Sequence, residues 1–446
     1  MPVDIVRDSA IDVLLRIEEK NIPIQDAIDR TLTRKAGRLS ERGTRFLTQL
    51  VYGTTRHRLL CEYVLRPLLR QPIDKLPLAI RIILRMGVYQ NIFLHTVTTP
   101  AMVHTSVDLA KKRGHIGTSR LTNAVLKRVP DTLDGIEFPD KMDNFHGYLS
   151  IRFSMPGWIV HDWLKTYGPE TTETICEASE KEAPLAIRLN TLRADQGKLE
   201  QRLAKHEVQL APIENVADGF ICLDKKPKPK MKAFQEGLFY FQDPASMLPS
   251  LLIDPQSGET ILDMCSSPGG KSTHMAQLMN DEGLIVANDK AIGKSYRILD
   301  NKDRLGTDSL HLTITNGVDS AFKPESFDRV LIDAPCTGLG TLRRNPDIKF
   351  SLNSNSLEEL NRLQQDLLRS GIALCKNNGV VVYSVCTFTE EETMNVIQPL
   401  LDRNEAVLED GPECLNAWKI AQGIYRILPG NSLFDGFFLA RLRKAS

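Results

Sequence analysis

The chain has 446 residues, of which 42% are hydrophobic and 25% charged, with 56 Lys and Arg set against 56 Asp and Glu. That length argues for two or three domains, and a formal charge of zero means that any case for nucleic-acid binding must rest on local clusters. No apolar run approaches the roughly 18 residues of a membrane span, the first helical pattern carries acids unlike a secretory signal, and eight cysteines without framework spacing fit a reducing cytoplasm.

Residues 1–140 form the first expected domain, almost wholly helical. Leu14, Leu15 and Ile17 start an apolar face, and Phe46, Leu47, Leu50, Val51 and Leu60 continue at helical spacing, followed by helical patterns at 78–93, 102–112 and 118–129. Nothing in this bundle clusters acids, histidines or cysteines into an active site. Arg34, Lys35, Arg38, Arg42, Arg45, Arg56 and Arg58 could lie along a phosphate backbone, or be a solvated surface.

Pro130, Gly135 and Pro139 mark a domain edge, and a small α+β domain is expected over 145–235. It opens on a helical pattern at 155–168, with Trp158 and Trp163 read as core, and continues with strand patterns at 185–191 and 219–224. The lysine-rich stretch KKPKPKMK at 225–232 reads as an extended strap for nucleic acid or as a solvated loop.

Over 236–446 strands alternate with helices. Apolar strands at 261–264, 284–288, 310–314, 328–332, 379–385 and 436–441, with a helix at 356–375, predict a mostly parallel sheet covered on both faces, whose ligands sit beyond the carboxyl ends of the strands. At the end of the first lies ILDMCSSPGGKST, 261–273: strand, glycine turn, helix, a cradle for a small molecule. A phosphate loop would need glycine where Cys265 stands, and no G-x-G-x-x-G occurs. Asp289, about 20 residues past the turn at the end of the next strand, is placed to accept ribose hydroxyls. A ribose without a pyrophosphate cradle suggests S-adenosylmethionine.

Two further loops carry Asp333, Ala334, Pro335, Cys336 and Ser384, Val385, Cys386, Thr387. If their strands are neighbours, two thiols and a carboxylate converge on the glycine turn. No metal site is expected, because there are no C-x-x-C pairs and His274 and His311 are isolated. A redox pair is a second rival, but neither rival uses Asp333. Methylation of a cytosine at carbon 5 uses all three: a thiolate adding at carbon 6, with hydrogen bonding at N3, makes carbon 5 nucleophilic, and a second thiol assists release.

FQDPASM at 241–247, DMCSSPGGKS at 263–272, DAPCTGLGTLRRNPD at 333–347, YSVCTFTEEE at 383–392 and DGFFLARLRK at 435–444 together resemble the Sun/Fmu family of bacterial 16S ribosomal RNA cytosine-C5 methyltransferases. RFLTQLVYGTTRHR at 45–58 resembles its NusB-like helical domain, and RLNTLRAD at 188–195 its small linking domain. The resemblance implies a C-terminal Rossmann-like class I methyltransferase domain, S-adenosylmethionine as cofactor, and 16S rRNA or an early small-subunit assembly particle as partner of a cytoplasmic monomer. It makes Cys386 the covalent nucleophile and Cys336 the residue for product release, although DNA cytosine methyltransferases attack with a Pro–Cys cysteine, the reverse assignment. Asp333 would hold the cytosine N3 edge and border the cofactor. Cys265, Ser266, Ser267, Pro268, Gly269, Gly270 and Lys271 would take its methionine portion, Asp289 its ribose, and Asn316 and Asp319 its adenine. Lys271 could alternatively orient Asp333, and Arg343 and Arg344 could touch phosphate. The same chemistry on transfer RNA or 23S rRNA is the nearest alternative; a non-catalytic RNA-binding assembly or transcription factor is the alternative of another class. The chain departs from the family at CSSPGGKS for CAAPGGKT and YSVCT for YSTCT.

Overall fold

A computed structural model describes residues 4–352, 354–430 and 433–445, which fold as two units. The first runs to Lys181 and takes in Leu342–Ser351; the second holds Glu182–Thr341 and the remainder from Leu352. None of the described helices is long and apolar enough to cross a membrane.

The first unit is helical throughout. Some of its helices begin where a capping side chain satisfies free N–H groups: Asp4 accepts from Val6 and Arg7 at 2.9 and 3.0 Å ahead of the helix Ile5–Lys20, and Ser40 from Gly43 at 3.1 Å ahead of Glu41–Arg56. The helix Leu78–Phe93 is apolar nearly all round and lies in the centre, with Ile80, Ile82, Ile83, Leu84, Met86 and Val88 buried. Its one buried cation, Arg85, is held by Glu18 at 2.9 Å and Glu62 at 3.2 Å. The helix Gly157–Glu180 breaks at Gly168, where φ is 76°, and Pro169 starts its second half, so the helical pattern at 155–168 covers only the first.

Leu342–Ser351, the stretch that follows the Cys336 loop in sequence, is built into this unit by three kinds of contact. Asp347 accepts at 3.1 Å from the N–H of Ile24, capping a helix whose own N-cap, Pro23, has no side-chain cap. The Lys349 ammonium donates to the carbonyls of Arg56 and Phe153 at 3.1 and 3.3 Å, the ends of two helices where free carbonyls collect. The Phe350 ring lies 4.9 Å below the Arg58 guanidinium. Lys349 is only 2% exposed, and this burial pushes its pKa down to about 7. Arg343 is also buried, and its carbonyl accepts from Arg56 at 2.8 Å.

The second unit begins with a small antiparallel sheet of β1 (Ala186–Leu189), β2 (Leu210–Ile213), β3 (Val216–Cys222) and β4 (Phe239–Phe241), in the order β2-β3-β1-β4. A larger sheet follows: β5 (Thr260–Asp263), β6 (Leu284–Asn288), β7 (Leu310–Thr313), β8 (Phe327–Asp333), β9 (Cys375–Val385), β10 (Ala406–Leu408), β11 (Lys419–Ala421), β12 (Ile424–Ile427) and β13 (Phe437–Lys444). Its order is β11-β12-β13-β9-β8-β5-β6-β7, with β10 on β13. Strands β5 to β9 pair in parallel; β13 turns antiparallel against β9 and carries the other three with it. The expected parallel sheet is therefore present and extended by an antiparallel wing.

Adjacent residues of the parallel strands enter opposite layers. Ile261, Ile285, Leu331 and Val382 pack with Leu248 and Met275 on one face, while Leu262, Val286, Val330 and Val381 pack with Leu367 and Leu368 on the other. Burial on both faces explains the near-continuous apolar runs. From β5 the chain crosses to β6 and β7 on one side and later to β8 and β9 on the other, so the order reverses at the carboxyl end of β5. A crevice for a ligand forms at such a reversal.

Candidate active site

Asp263 ends β5, and the glycine turn leads from it into the helix Gly270–Leu278. Gly269 sits at φ 94°, a conformation that side chains resist, and a Cβ at Gly270 would lie 2.9 Å from the Tyr240 ring. Arg188 of β1 fastens the turn from behind: it donates to the Gly270 carbonyl at 2.7 Å and Thr273 at 3.1 Å, bonds to Gln242, and lies 5.3 Å over the Tyr240 ring. Burial lowers its pKa to about 9.

In front of the turn is a cavity of roughly 210 Å³, bordered by Tyr240, Gln242, Asp263, Ser266, Lys271 and Asp333 among others. Asp263 is fully buried; one carboxylate oxygen accepts from Ser272 at 2.6 Å and the other has no partner. Burial lifts its pKa to about 7. The Ser266 hydroxyl is likewise buried and unpartnered. An open acceptor and a hydroxyl at one end of the cavity, with a lysine at its edge, fit a small molecule that carries both ammonium and carboxylate groups.

The next parallel strands complete the site. Asp333 and Ser384 are register partners at the ends of β8 and β9, and the Ser384 hydroxyl donates to Asp333 at 2.8 Å. The other Asp333 oxygen lies 2.5 Å from the Lys271 ammonium. Burial works against that ammonium, but the Asp333 carboxylate outweighs it and raises the Lys271 pKa. Beyond the strand ends, the sulfurs of Cys336 and Cys386 are 3.3 Å apart and both half-buried. The adjacent Cys386 sulfur, and then burial, push the Cys336 thiol well above its ordinary range.

Residues matched by the 16S rRNA methyltransferase RsmB/F family are 250–443; the NusB family matches 4–131, and the RsmF/B-like ferredoxin-like domain matches 155–228. A Bacillus subtilis (strain 168) protein named probable ribosomal RNA small subunit methyltransferase B is 32% identical over 98% of each chain. The chain belongs to the RsmB/F methyltransferase family. A Synechocystis sp. protein of the same name is also 32% identical, over 98% of this chain and 99% of its own. Among solved structures, the Crystal Structure of PH0851 superposes with a TM-score of 0.84 over 100% of both chains at 25% identity. With the RsmB/F match go the NusB-like helical unit, the small linking sheet and the Rossmann-like domain.

Of the residues that the sequence singles out in this RsmB/F chain, Cys265, Ser266, Ser267, Pro268, Gly270, Lys271 and Asp333 line the cavity, and Gly269 shapes its turn. Asp289, half-buried, stands beside the turn: its carboxylate accepts from the N–H groups of Ser267 at 3.1 Å and Ala291 at 2.8 Å. Asn316 and Asp319 are exposed and not among the lining residues, and Asn316 accepts from Val318 within its own turn. The sequence reading missed Asp263, Tyr240, Ser384 and Arg188. Asp263 had a signal, an acid inside an apolar run; the other three become visible only when strands are laid side by side.

Proposed function

We propose that this protein transfers a methyl group from S-adenosylmethionine to carbon 5 of one cytosine in 16S rRNA, through a covalent bond between Cys386 and carbon 6 of the base. The observation that carries the reading is the pair of sulfurs 3.3 Å apart beside an Asp333 that is held on both oxygens. When bound, the cofactor supplies an electrophilic methyl. Residues 265–271 would hold its methionine portion, Asp289 its ribose, and Asn316 and Asp319 its adenine.

The chain's own residues do the rest. Cys386 adds to carbon 6 as thiolate, the ring electrons move to carbon 5, and Asp333 holds the N3 edge while they do. After methylation, loss of the carbon 5 proton restores the double bond and expels the Cys386 sulfur. The Cys336 sulfur, 3.3 Å from that of Cys386, supports a role for Cys336 in this release. The target base leaves any stack to reach these groups. In this reading the helical domain (1–140) and linking domain (145–235) hold rRNA or an early small-subunit particle, domain 236–446 is catalytic, and the protein works as a cytoplasmic monomer.

The test is methyl transfer by the purified protein to undermodified 16S RNA. Cys386→Ala should abolish transfer and leave RNA binding, and Cys336→Ala should accumulate a covalent protein–RNA adduct. Absence of transfer by the unaltered protein overturns the reading, and an adduct from Cys386→Ala reverses the two cysteines. Bisulfite sequencing of total RNA with and without the gene separates 16S rRNA from transfer RNA and 23S rRNA.

A further inference from the structure

Three glutamates stand in a row at 390–392, two exposed and the third with none of its surface accessible. The short helical turn Glu390–Glu392 sends Glu392 inward. Its donors are all neutral: one oxygen accepts from the Thr337 N–H at 2.7 Å and the Gln364 amide at 3.1 Å, the other from the Thr337 hydroxyl at 2.5 Å and the Thr389 hydroxyl at 3.0 Å. Four donors fill the acceptor capacity of a carboxylate. Removing such a group from water is costly, so the site must hold its donors firmly.

Those donors belong to the loops that carry the cysteines. Thr337 follows Cys336 and Thr387 follows Cys386, and their hydroxyl oxygens are 3.0 Å apart. A hydroxyl has one hydrogen. With the Thr337 hydrogen directed to Glu392, the contact between threonines is completed by the Thr387 hydroxyl donating to Thr337. The carboxylate thus orders a chain of hydrogen bonds that crosses from one loop to the other one residue past each sulfur. Gln364 also donates to the Pro335 carbonyl at 2.8 Å, so Cys336 is gripped on both sides, and Gly340 donates to the Cys386 carbonyl at 3.0 Å. From below, the buried Tyr383 hydroxyl bonds the Glu392 carbonyl at 2.8 Å.

We infer that Glu392 is a positioning residue that clamps the Cys336 and Cys386 loops so that both sulfurs meet the same base. The inference rests on the two-cysteine reading above. Thiols that must act in succession on adjacent ring carbons have little room for drift, because displacement of about 1 Å can cost roughly 100-fold in rate.

The experiment uses the full-length protein with Glu392→Gln, Thr337→Val and Thr337→Ser. Two quantities are followed: methyl transfer to undermodified 16S RNA, and the rate at which diamide, which accepts both thiol hydrogens, joins Cys336 to Cys386. Glu392→Gln and Thr337→Val should lower kcat by roughly 100-fold, leave KM for RNA and cofactor within about twofold, and slow cross-linking by about tenfold or more. Thr337→Ser, which keeps the hydroxyl, should stay near the unaltered protein in both. Should Glu392→Gln not fold, the valine and serine pair decides alone. Unchanged kcat or unchanged cross-linking in folded Glu392→Gln or Thr337→Val overturns the inference. Cross-linking needs no methylation, so failure of the unaltered protein to methylate sinks the functional reading and is distinguishable from failure of the clamp.

Discussion

Lys271 and Asp333 form an ion pair at 2.5 Å in the lining of the cavity beside the glycine turn, and Ser384 takes the remaining Asp333 oxygen at 2.8 Å. The lysine at the start of one helix therefore fixes a carboxylate at the end of another strand. Lys271→Met should leave Asp333 held by Ser384 alone, and methyl transfer should fall by roughly 100-fold as the carboxylate drifts. Because the folded pKa of Lys271 is raised, the pair contributes below the ordinary lysine value of 10.5 and is lost only as pH climbs through the higher folded one. A pH–rate profile between about 6 and 9 should show no limb from this lysine.

Gly270→Ala tests the wall of the cavity. The added methyl would meet the Tyr240 ring at 2.9 Å, and that ring is backed by the guanidinium of Arg188 at 5.3 Å and of Arg304 at 5.7 Å. The ring has little freedom to retreat, so cofactor affinity should drop by about tenfold or more in calorimetric titration, with RNA affinity unchanged. Equal cofactor affinity in the variant would mean that the ligand does not use this wall.

Asp263 gives a pH signature. Its pKa rises from 3.8 to about 7 on folding, so the folded ligand-free protein binds the proton more tightly than the unfolded chain. Stability should therefore fall as pH rises from about 4 to 7, by up to the order of 3 kcal/mol. Asp263→Asn removes the titration. Urea unfolding across that range should show the difference between variant and parent growing in favour of the variant; parallel curves would contradict it.

Lys349 behaves in the reverse sense within the helical unit. Its folded pKa of about 7 lies below the ordinary 10.5, so the charged form is penalised at low pH and stability is regained as pH rises from about 7 to 10.5. Lys349→Met should lose that gain, and it also leaves the Arg56 and Phe153 carbonyls without their donor. Thermal melts at about pH 6.5 and pH 9 should show the parent gaining stability relative to the variant at the higher value.

The parts legible in the sequence were those in which chemistry sits on strong local pattern. The glycine turn, Asp333 and the two cysteines each end an apolar strand, but that their strands are neighbours was only a condition in the sequence, met by the pairing of β8 with β9 and with β5. The antiparallel wing was not legible, since β10 and β11 span only Ala406–Leu408 and Lys419–Ala421, and β11 is wholly exposed. The helix after Gly168 was hidden by Pro169, which ends a pattern as readily as it starts one. Glu392 ended the YSVCTFTEEE segment without a role of its own, and only its contacts with Thr337 set it apart from its acidic neighbours. Asn316 and Asp319 were chosen from the sequence as an approximate match, and the structure leaves both on the surface.

The helical unit is threaded twice, by the amino-terminal stretch and again by Leu342–Ser351. No single scission yields a self-contained catalytic half: trimming the chain near Lys181 would strand Lys349 and Phe350 in water, away from the carbonyls and the guanidinium that receive them. Exchanging this helical module between relatives is accordingly a graft with two seams, and the second one lies a few residues past Cys336.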